Sequence, residues 1–368
     1  MSDRKFTIAH TETSLGWGGQ EIRILTEMEA LRRRGHRLLL AAPERSQVFA
    51  RAAERGFAPQ PLDDRKGRFP AAVLGLARWF RRERVDVVCP HSSRDGWLAG
   101  LAGRLAGVPL IVRARHFEVP IASRWLSRLV YQGLADQLVT TSPRISEQFR
   151  EAFGFGEERV STIPTGIDLE VFSPAGTKAE FPAPPEQAGW PLIGMVAVLR
   201  QAKGHLTLVR AARRLRDEGR PVRLVFVGEG PSKAPIDAEI ARRQLGDAVQ
   251  FTGYRDDIPA VLRALDALAI PSLHEGIPQT ALQALACQTP VVGSDVGGIP
   301  SVIEAGVTGR LVPAGDDAAL AAALRETFTN RAATQAMRER GRARVEERHS
   351  IARMADAVEA LYRKRLGR

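Results

Sequence analysis

The chain has 368 residues, of which 44% are hydrophobic and 26% are charged, and its formal net charge is +11. This length exceeds what one hydrophobic core usually organises, so two domains are expected. The composition is that of an ordinary globular protein and argues against disordered, collagen-like and integral-membrane classes. Although the basic balance suits anionic partners, the absence of an RNP motif, zinc-finger spacing or long basic tail argues against nucleic acid.

Neither a membrane span nor a secretion signal is predicted. No apolar run approaches the roughly 18 to 20 residues that cross a bilayer, and the first residues lead directly into a strand-like pattern. We therefore expect a cytoplasmic protein. Cys89 and Cys287 form neither a disulfide framework nor a CxxC metal site, and both are predicted to be buried thiols.

Short β-rich runs alternate with helical segments along the whole chain, for example KFTIAH, VDVVCPH, PLIGMVAVL and RLVFVGEG. This alternation is typical of βαβ units with a parallel sheet. It predicts an α/β protein with two doubly wound, Rossmann-like domains that face a central cleft. Ligands would bind there to the strand-to-helix loops.

The stretch 173–190 is crowded with proline, glycine and alanine, which predicts an interdomain linker. It would join an N-terminal domain, residues 1–172, to a C-terminal domain, residues 191–345. Residues 346–368 have helix-forming composition and predict a terminal helix that packs back on the first domain.

Three loops carry candidate binding residues. Before a predicted helix at 279–287, a loop with Glu275 and Gly276 would present backbone N–H groups and a positive dipole end to a diphosphate. Lys203 stands at another strand-to-helix turn, where a cation suits an anionic leaving group. Gly18 and Gly19 precede the first helix and permit close approach of a phosphate. A loop that merely caps its own helix is the structural alternative.

The segment HEGIPQTALQALACQTPVV resembles the signature of glycosyltransferase family 4 of the GT-B superfamily, in which a Glu, seven residues and a second Glu precede a small-residue helix and PVV. The resemblance covers the second domain. It implies retaining transfer of a sugar from a UDP- or GDP-sugar to an acceptor hydroxyl. The nucleotide sugar is then a substrate, and no cofactor is expected.

The resemblance also implies residue roles. Glu275 corresponds to the family residue that contacts the donor sugar, whereas Gln283 stands where the family has the Glu that holds the ribose. Lys203 matches a family lysine, and Arg200 is the substitute for a family arginine that is Val198 here. The predicted catalytic residues are His116 and Glu275, the predicted donor-binding residues are Gly18, Gly19, Arg200, Lys203, Tyr254, Gly276, Ile277, Pro278 and Gln283, and His91 is assigned to the acceptor side.

No DxD-type motif stands at a strand end, so no metal site is predicted. The segment 121–131 sets apolar residues against arginines, a pattern that predicts peripheral contact with an anionic membrane on its inner face. The overall resemblance favours a glycan or lipid-linked acceptor in cell-envelope or lipopolysaccharide biosynthesis. Two alternatives stay open: a GT-B-type epimerase or phosphorylase, and a non-catalytic sugar-nucleotide-binding protein that has lost the second carboxylate.

Overall fold

The structure is a computed structural model that describes residues 4–116 and 124–367. The chain forms two compact units, one made of Met1–Gly166 with Ile351–Arg368 and the other of Ile167–Ser350. Each unit contains one sheet whose neighbouring strands all run parallel. The predicted α/β class with two Rossmann-like domains is confirmed.

The first unit has a seven-stranded sheet in the order β3-β2-β1-β4-β5-β6-β7. Its strands are β1 (Thr7–Thr11), β2 (Arg37–Ala42), β3 (Gln60–Pro61), β4 (Val87–Pro90), β5 (Leu110–Arg115), β6 (Gln137–Thr140) and β7 (Val160–Thr162). Its α-helices are α1 (Gly19–Arg33), α2 (Gln47–Glu54), α3 (Phe69–Glu83), α4 (Ser93–Ala106), α5 (Arg124–Arg128), α6 (Pro143–Phe153) and, at the C-terminus, α14 (Ile351–Arg365). The strand order reverses between β1 and β4, the place where such sheets bind ligands.

Apolar side chains on both faces hold this sheet between helices. All six residues of β5 are buried, as expected for a strand covered on both sides. The helix α14 belongs to this unit because Val358 and Tyr362 pack into the same core as Phe6 and Ile8. The last helix of the chain therefore completes the first unit.

The second unit has a six-stranded sheet in the order β10-β9-β8-β11-β12-β13. Its strands are β8 (Leu192–Val196), β9 (Arg223–Val227), β10 (Val249–Gly253), β11 (Ala267–Ile270), β12 (Val291–Ser294) and β13 (Arg310–Val312). Its helices are α7 (His205–Asp217), α8 (Lys233–Arg242), α9 (Ile258–Ala264), α10 (Gln279–Ala286), α11 (Ile299–Val302), α12 (Asp317–Thr329) and α13 (Arg331–Arg348).

The stretch 173–190, predicted to be a linker, lies inside the second unit. Phe181 is buried in the core of that unit, and its carbonyl accepts a hydrogen bond from Arg223 at 2.8 Å. Arg263 donates to the carbonyls of Ser173 and Thr177. Because arginine side chains from the sheet and from α9 satisfy these carbonyls, the proline-rich segment is packed against its unit, and the unit boundary falls at 166/167.

The predicted amphipathic segment 121–131 lies partly outside the described residues, which resume at 124. There α5 continues into a π-helix, Leu129–Gly133. None of the helices that the structure describes combines the length and apolar character needed to cross a bilayer.

Candidate active site

A charged cluster joins two loops of the second unit. The ammonium group of Lys203 donates to both carboxylate oxygens of Glu275, at 2.9 and 2.6 Å. The hydroxyl of Ser272 donates to the same carboxylate at 3.0 Å. Both charged side chains are partly exposed, so the cluster is open to a ligand.

The parallel pairing of β8 with β11 places these two loops at one edge of the sheet. Gly204, which follows Lys203, has a φ of +79°, and a Cβ there would lie 1.8 Å from the carbonyl oxygen of Pro271. Only glycine permits this approach. The backbone N–H of Leu273 donates to the carbonyl of Ala202 at 2.8 Å and fastens one loop to the other.

Two adjacent glycines that the sequence motif did not predict, Gly297 and Gly298, support the Glu275 loop. The N–H of Gly298 donates to the carbonyls of Glu275 and Gly276, at 3.3 and 3.1 Å. A Cβ at Gly297 would lie 1.9 Å from the Glu275 carbonyl oxygen, so the backbones approach as only glycine allows. The repeated glycine in GSDVGG was the available signal.

The helix α10 begins directly after this loop. Pro278 is its N-cap residue, and no side chain caps the helix. Gly276 and Ile277 lie just before it and are partly exposed. The use of this helix N-terminus for a diphosphate stays a prediction.

The remaining predicted donor residues differ in their surroundings. Gln283 is only 8% exposed, yet its amide has no hydrogen-bond partner among the described residues. Arg200 is exposed three residues before Lys203. Tyr254 is half exposed and follows β10, which β9 separates from β8, so the sheet does not bring it next to the Lys203 loop.

The first unit contains a pocket of about 320 Å³ at the carboxyl ends of β1, β4 and β5. It unites four residues predicted from the sequence, Gly18, Gly19, His91 and His116, with Arg115 at the end of β5. Gly18 is the N-cap residue of α1, and its N–H donates to the carboxylate of Glu21 at 2.9 Å.

Three histidines form a row under this pocket, and one of them, His10, was not predicted. The Nδ1 of His10 lies 2.9 Å from Nε2 of His91, whose Nδ1 lies 2.9 Å from Nε2 of His116. Burial lowers the pKa of His10 to about 3 and holds the pKa values of His91 and His116 well below the usual range. The row is therefore neutral at physiological pH.

A buried carboxylate, also missed in the sequence, organises the glycine loop. Glu12 accepts hydrogen bonds from the N–H groups of Thr13 and Ser14, each at 2.7 Å, and from the amide of Gln20. Burial, and secondly the neighbouring Asp95, raise the pKa of Glu12 to about 7. A single side chain thus holds both ends of the loop between β1 and α1.

Comparison with known proteins identifies the family. A family model described as Glycosyltransferase Family 4 matches residues 17–171, and one described as Glycosyl transferases group 1 matches residues 177–344. A D-inositol 3-phosphate glycosyltransferase of Saccharomonospora viridis is 31% identical over 340 residues, which cover 84% of this chain and 76% of that protein. The chain belongs to glycosyltransferase family 4. The resemblance drawn from HEGIPQTALQALACQTPVV is thereby confirmed.

Other similar proteins are also named as glycosyltransferases. A 2-deoxystreptamine glucosyltransferase of Streptomyces kanamyceticus is 29% identical over 325 residues, 81% of this chain and 82% of that protein. A UDP-Gal:alpha-D-GlcNAc-diphosphoundecaprenol alpha-1,3-galactosyltransferase of Escherichia coli is 27% identical over 312 residues, 79% of this chain and 78% of that protein. This family 4 chain is an enzyme, a glycosyltransferase.

Solved structures agree on the fold. A glycosyltransferase from Rickettsia africae superposes with a TM-score of 0.85 at 20% identity, covering 98% of this chain and 99% of that one. The Anabaena protein HepE in complex with UDP gives 0.82 at 20% identity, covering 96% and 98%. The GT-B architecture of this glycosyltransferase is confirmed.

Within residues 4–116 and 124–367, no group of three or more His, Cys, Asp or Glu is placed to hold a metal ion.

The raised pKa of Glu12 predicts a pH-dependent stability. The pKa of Glu12 is about 7 in the folded protein and 4.5 ordinarily, so between these pH values folding takes up a proton. Protonated Glu12 therefore contributes its full stabilisation to the folded state below pH 4.5, and this contribution is lost as the pH rises through about 7. Between these values, the free energy of unfolding of the wild type should fall relative to Glu12→Gln by roughly 1 kcal/mol per pH unit. Urea unfolding from pH 5 to 8 measures this difference.

Glu44→Gln is the matched control. It is the same Glu-to-Gln change in the same unit, made at an exposed residue instead of a buried one. Its stability should follow that of the wild type at every pH. Parallel curves for the wild type and Glu12→Gln would contradict the assignment of a raised pKa to Glu12.

Proposed function

We propose that the enzyme transfers a sugar from a UDP-sugar to an acceptor hydroxyl, with retention of configuration and without a divalent metal or other cofactor. The observation that carries this proposal is the Lys203–Glu275 cluster beside the N-terminus of α10. Complexes of HepE with UDP and with UDP-glucose support the choice of nucleotide. The UDP-Gal in the name of the Escherichia coli relative supports it independently.

The chemistry requires stabilisation of a departing diphosphate. Lys203 provides a cation with three donors, so it can contact a diphosphate oxygen while it still donates to Glu275. Arg200 and the N–H groups before α10 add positive potential where charge develops. These groups would perform the role that a divalent metal has in other transferases.

Glu275 is suited to binding the sugar. Its carboxylate offers about four acceptor positions, of which Lys203 and Ser272 occupy three. A sugar hydroxyl can donate to the position that is left. We propose that the leaving phosphate takes the proton of the acceptor hydroxyl as the new bond forms on the same face of the sugar.

In the first unit, the pocket that contains Gly18, Gly19 and His116 would serve the reacting groups, and His91 would lie on its acceptor side. Its serine, arginine and histidine side chains and its helix N-termini suit hydroxyl and phosphate oxygens, and its lining also contains the carboxylate of Glu21, which accepts from the N–H of Gly18.

For the acceptor we propose a lipid-linked glycan of the cell envelope, as in lipopolysaccharide biosynthesis, reached from the inner face of the membrane. The name of the Escherichia coli relative supports such an acceptor. So do the exposed side chains of Trp125, Leu126 and Leu129 beside Arg128, since aromatic and aliphatic groups next to arginine suit an anionic bilayer surface. An aminoglycoside is the second candidate, because the Streptomyces kanamyceticus relative is named for 2-deoxystreptamine.

Nucleotide binding provides the central test. UDP at 100 times its dissociation constant, in the presence of EDTA, should stabilise the protein by about 2.7 kcal/mol and raise the melting temperature by several degrees. Lys203→Met should abolish most of this shift. Lys233→Met is the matched control, because Lys233 is an exposed lysine of the same unit that pairs with Asp237. Shifts that appear only with added Mg²⁺ or Mn²⁺, or an unaffected Lys203→Met, would refute the proposed donor site.

A second test concerns Gln283, a residue only 8% exposed whose amide has no hydrogen-bond partner in the described part of the chain. If it holds the ribose, Gln283→Ala should weaken donor binding by about 1–2 kcal/mol and raise KM more than it lowers kcat. Gln283→Glu should retain or tighten binding because a charged acceptor forms a stronger hydrogen bond. An unchanged KM for the UDP-sugar in Gln283→Ala would mean that this side chain does not face the ribose.

The proposed membrane contact is tested by flotation with vesicles that contain an anionic lipid. Binding should be strong at low salt and weaken as salt is added, because part of the attraction is electrostatic. Trp125→Glu with Leu129→Glu should abolish it. Leu74→Glu on α3 is a matched control, since Leu74 is as exposed as Leu129. Equal flotation of all three proteins, or none at low salt, would exclude this surface.

A further inference from the structure

His10, His91 and His116 form a row of stacked, hydrogen-bonded imidazole rings. The residues come from β1 and from the ends of β4 and β5, which are adjacent in the sheet. Neighbouring rings are stacked with centroids 5.2 Å apart in each pair, and each pair is joined by one nitrogen-to-nitrogen hydrogen bond of 2.9 Å. The three imidazoles thus form one continuous hydrogen-bonded chain.

Neutral imidazoles allow only two proton arrangements in such a chain. Each ring carries one N–H and one lone pair, so a ring that donates on one side must accept on the other. In the first arrangement the proton is on Nδ1 of every ring, and in the second it is on Nε2 of every ring. A doubly protonated ring would donate on both sides and so reverse the direction of the hydrogen bonds. Burial excludes such a ring because it keeps the pKa values of all three histidines low.

The two arrangements differ at the two ends of the histidine row, which are Nδ1 of His116 and Nε2 of His10. At one end, Nδ1 of His116 has no partner among the described residues, and this side chain, only 8% exposed, lines the 320 Å³ pocket. At the other end, Nε2 of His10 is fully buried and also has no partner in the described part of the chain. The first arrangement leaves a lone pair at His10 and directs an N–H into the pocket. The second leaves an N–H at His10 and directs a lone pair into the pocket.

The buried end favours the first arrangement. A buried N–H without an acceptor is rarer in proteins than an under-used acceptor, because its desolvation is not compensated. The guanidinium of Arg23 acts electrostatically on His10, and a positive charge favours a lone pair over an N–H directed at it. Arg23 is itself held by Thr165, at 3.0 Å, and lies 3.7 Å from Glu27.

Other charged groups around the row also oppose protonation. Arg113 raises the positive potential at both His91 and His116, and Arg115 does so at His116. Cys89 and Tyr362, which line the same small cavity as His91 and His116, form a hydrogen bond with each other at 3.1 Å. The surroundings therefore stabilise neutral rings.

We propose that His10 and His91 are positioning residues that lock His116 in the Nδ1-protonated tautomer, so that His116 presents an N–H donor to the pocket. The group recognised there is a hydrogen-bond acceptor, a hydroxyl or phosphate oxygen of the sugar substrate. His116 then acts as a donor to the reacting molecule and does not remove a proton from it. This role in catalysis rests on the proposed transferase function, whereas the tautomer itself is a property of the ligand-free protein.

The tautomer can be read directly by nitrogen-15 NMR of the ligand-free full chain with labelled histidine, which distinguishes protonated from unprotonated ring nitrogens. Assignment uses the loss of the corresponding signals in His116→Gln. We expect Nδ1 of His116 to be protonated and Nε2 unprotonated from pH 6 to 8. A protonated Nε2, a rapid mixture of tautomers or a charged ring in this range would overturn the proposal, whatever the activity of the enzyme.

A matched pair at the buried end tests how the lock works. In His10→Asn the amide can turn its NH₂ group towards His91 and keep the first arrangement. In His10→Asp the carboxylate can only accept once it is ionised, so above its pKa every ring proton should move to Nε2 and His116 should direct a lone pair into the pocket.

The NMR signature of His116 should therefore invert in His10→Asp and remain as in the wild type in His10→Asn. Transfer measured as kcat/KM should fall roughly ten- to a hundredfold in His10→Asp, the range for loss of one buried hydrogen-bond donor, and be mostly retained in His10→Asn. An inverted tautomer with unchanged activity would overturn the donor role alone. A tautomer that stays unchanged up to about pH 9 in a folded His10→Asp would overturn the lock, since a buried carboxyl group must ionise before it can act only as an acceptor. If that variant does not fold, the wild-type spectrum decides.

Discussion

The parallel direction of every strand is the constraint on which both sites depend. Because the carboxyl ends of neighbouring parallel strands meet at one edge, loops that are distant in sequence become neighbours without any specific contact to draw them together. In the second unit this edge joins Lys203 to Glu275, 72 residues later. In the first it lines up His10, His91 and His116 from three strands. The sheet brings the Lys203 and Glu275 loops near each other, and close backbone contacts at Gly204 and Gly297 then fix their positions.

The sequence predicted those features that depend on local pattern. Alternating strands and helices gave the α/β class, and one motif of about twenty residues gave the family. The sequence pattern did not predict roles for Glu12 and His10, because each is a single polar residue near a strand end. Their roles depend on partners such as Asp95 and His91, which are distant in sequence. The segment 173–190 shows the same limit, since its composition suggested a linker while Arg223 and Arg263, distant in sequence, hold its carbonyls.

The first unit keeps several polar groups in its interior, where burial is unfavourable unless each has a partner. Arg23, Glu27 and Asp95 are all buried there, near the histidine row and the glycine loop. Asp95 accepts four hydrogen bonds from Thr11, His91 and Ser92, and Arg23 donates to Thr165 and lies 3.7 Å from Glu27. This polar interior costs stability relative to apolar packing, and in return it fixes the orientation of groups that line the pocket.

The ion pair between Lys203 and Glu275 also bears on the departure of ligands. An anion that approaches Lys203 does not meet a bare ammonium group, because the carboxylate of Glu275 already occupies two of its donors. In the proposed donor site, Glu275 would therefore be an internal competitor at a fixed and high local concentration, which would limit how tightly Lys203 holds a diphosphate. When a nucleotide leaves the proposed site, Lys203 would still hold its two hydrogen bonds to Glu275, so the site would return to its ligand-free state without waiting for another molecule.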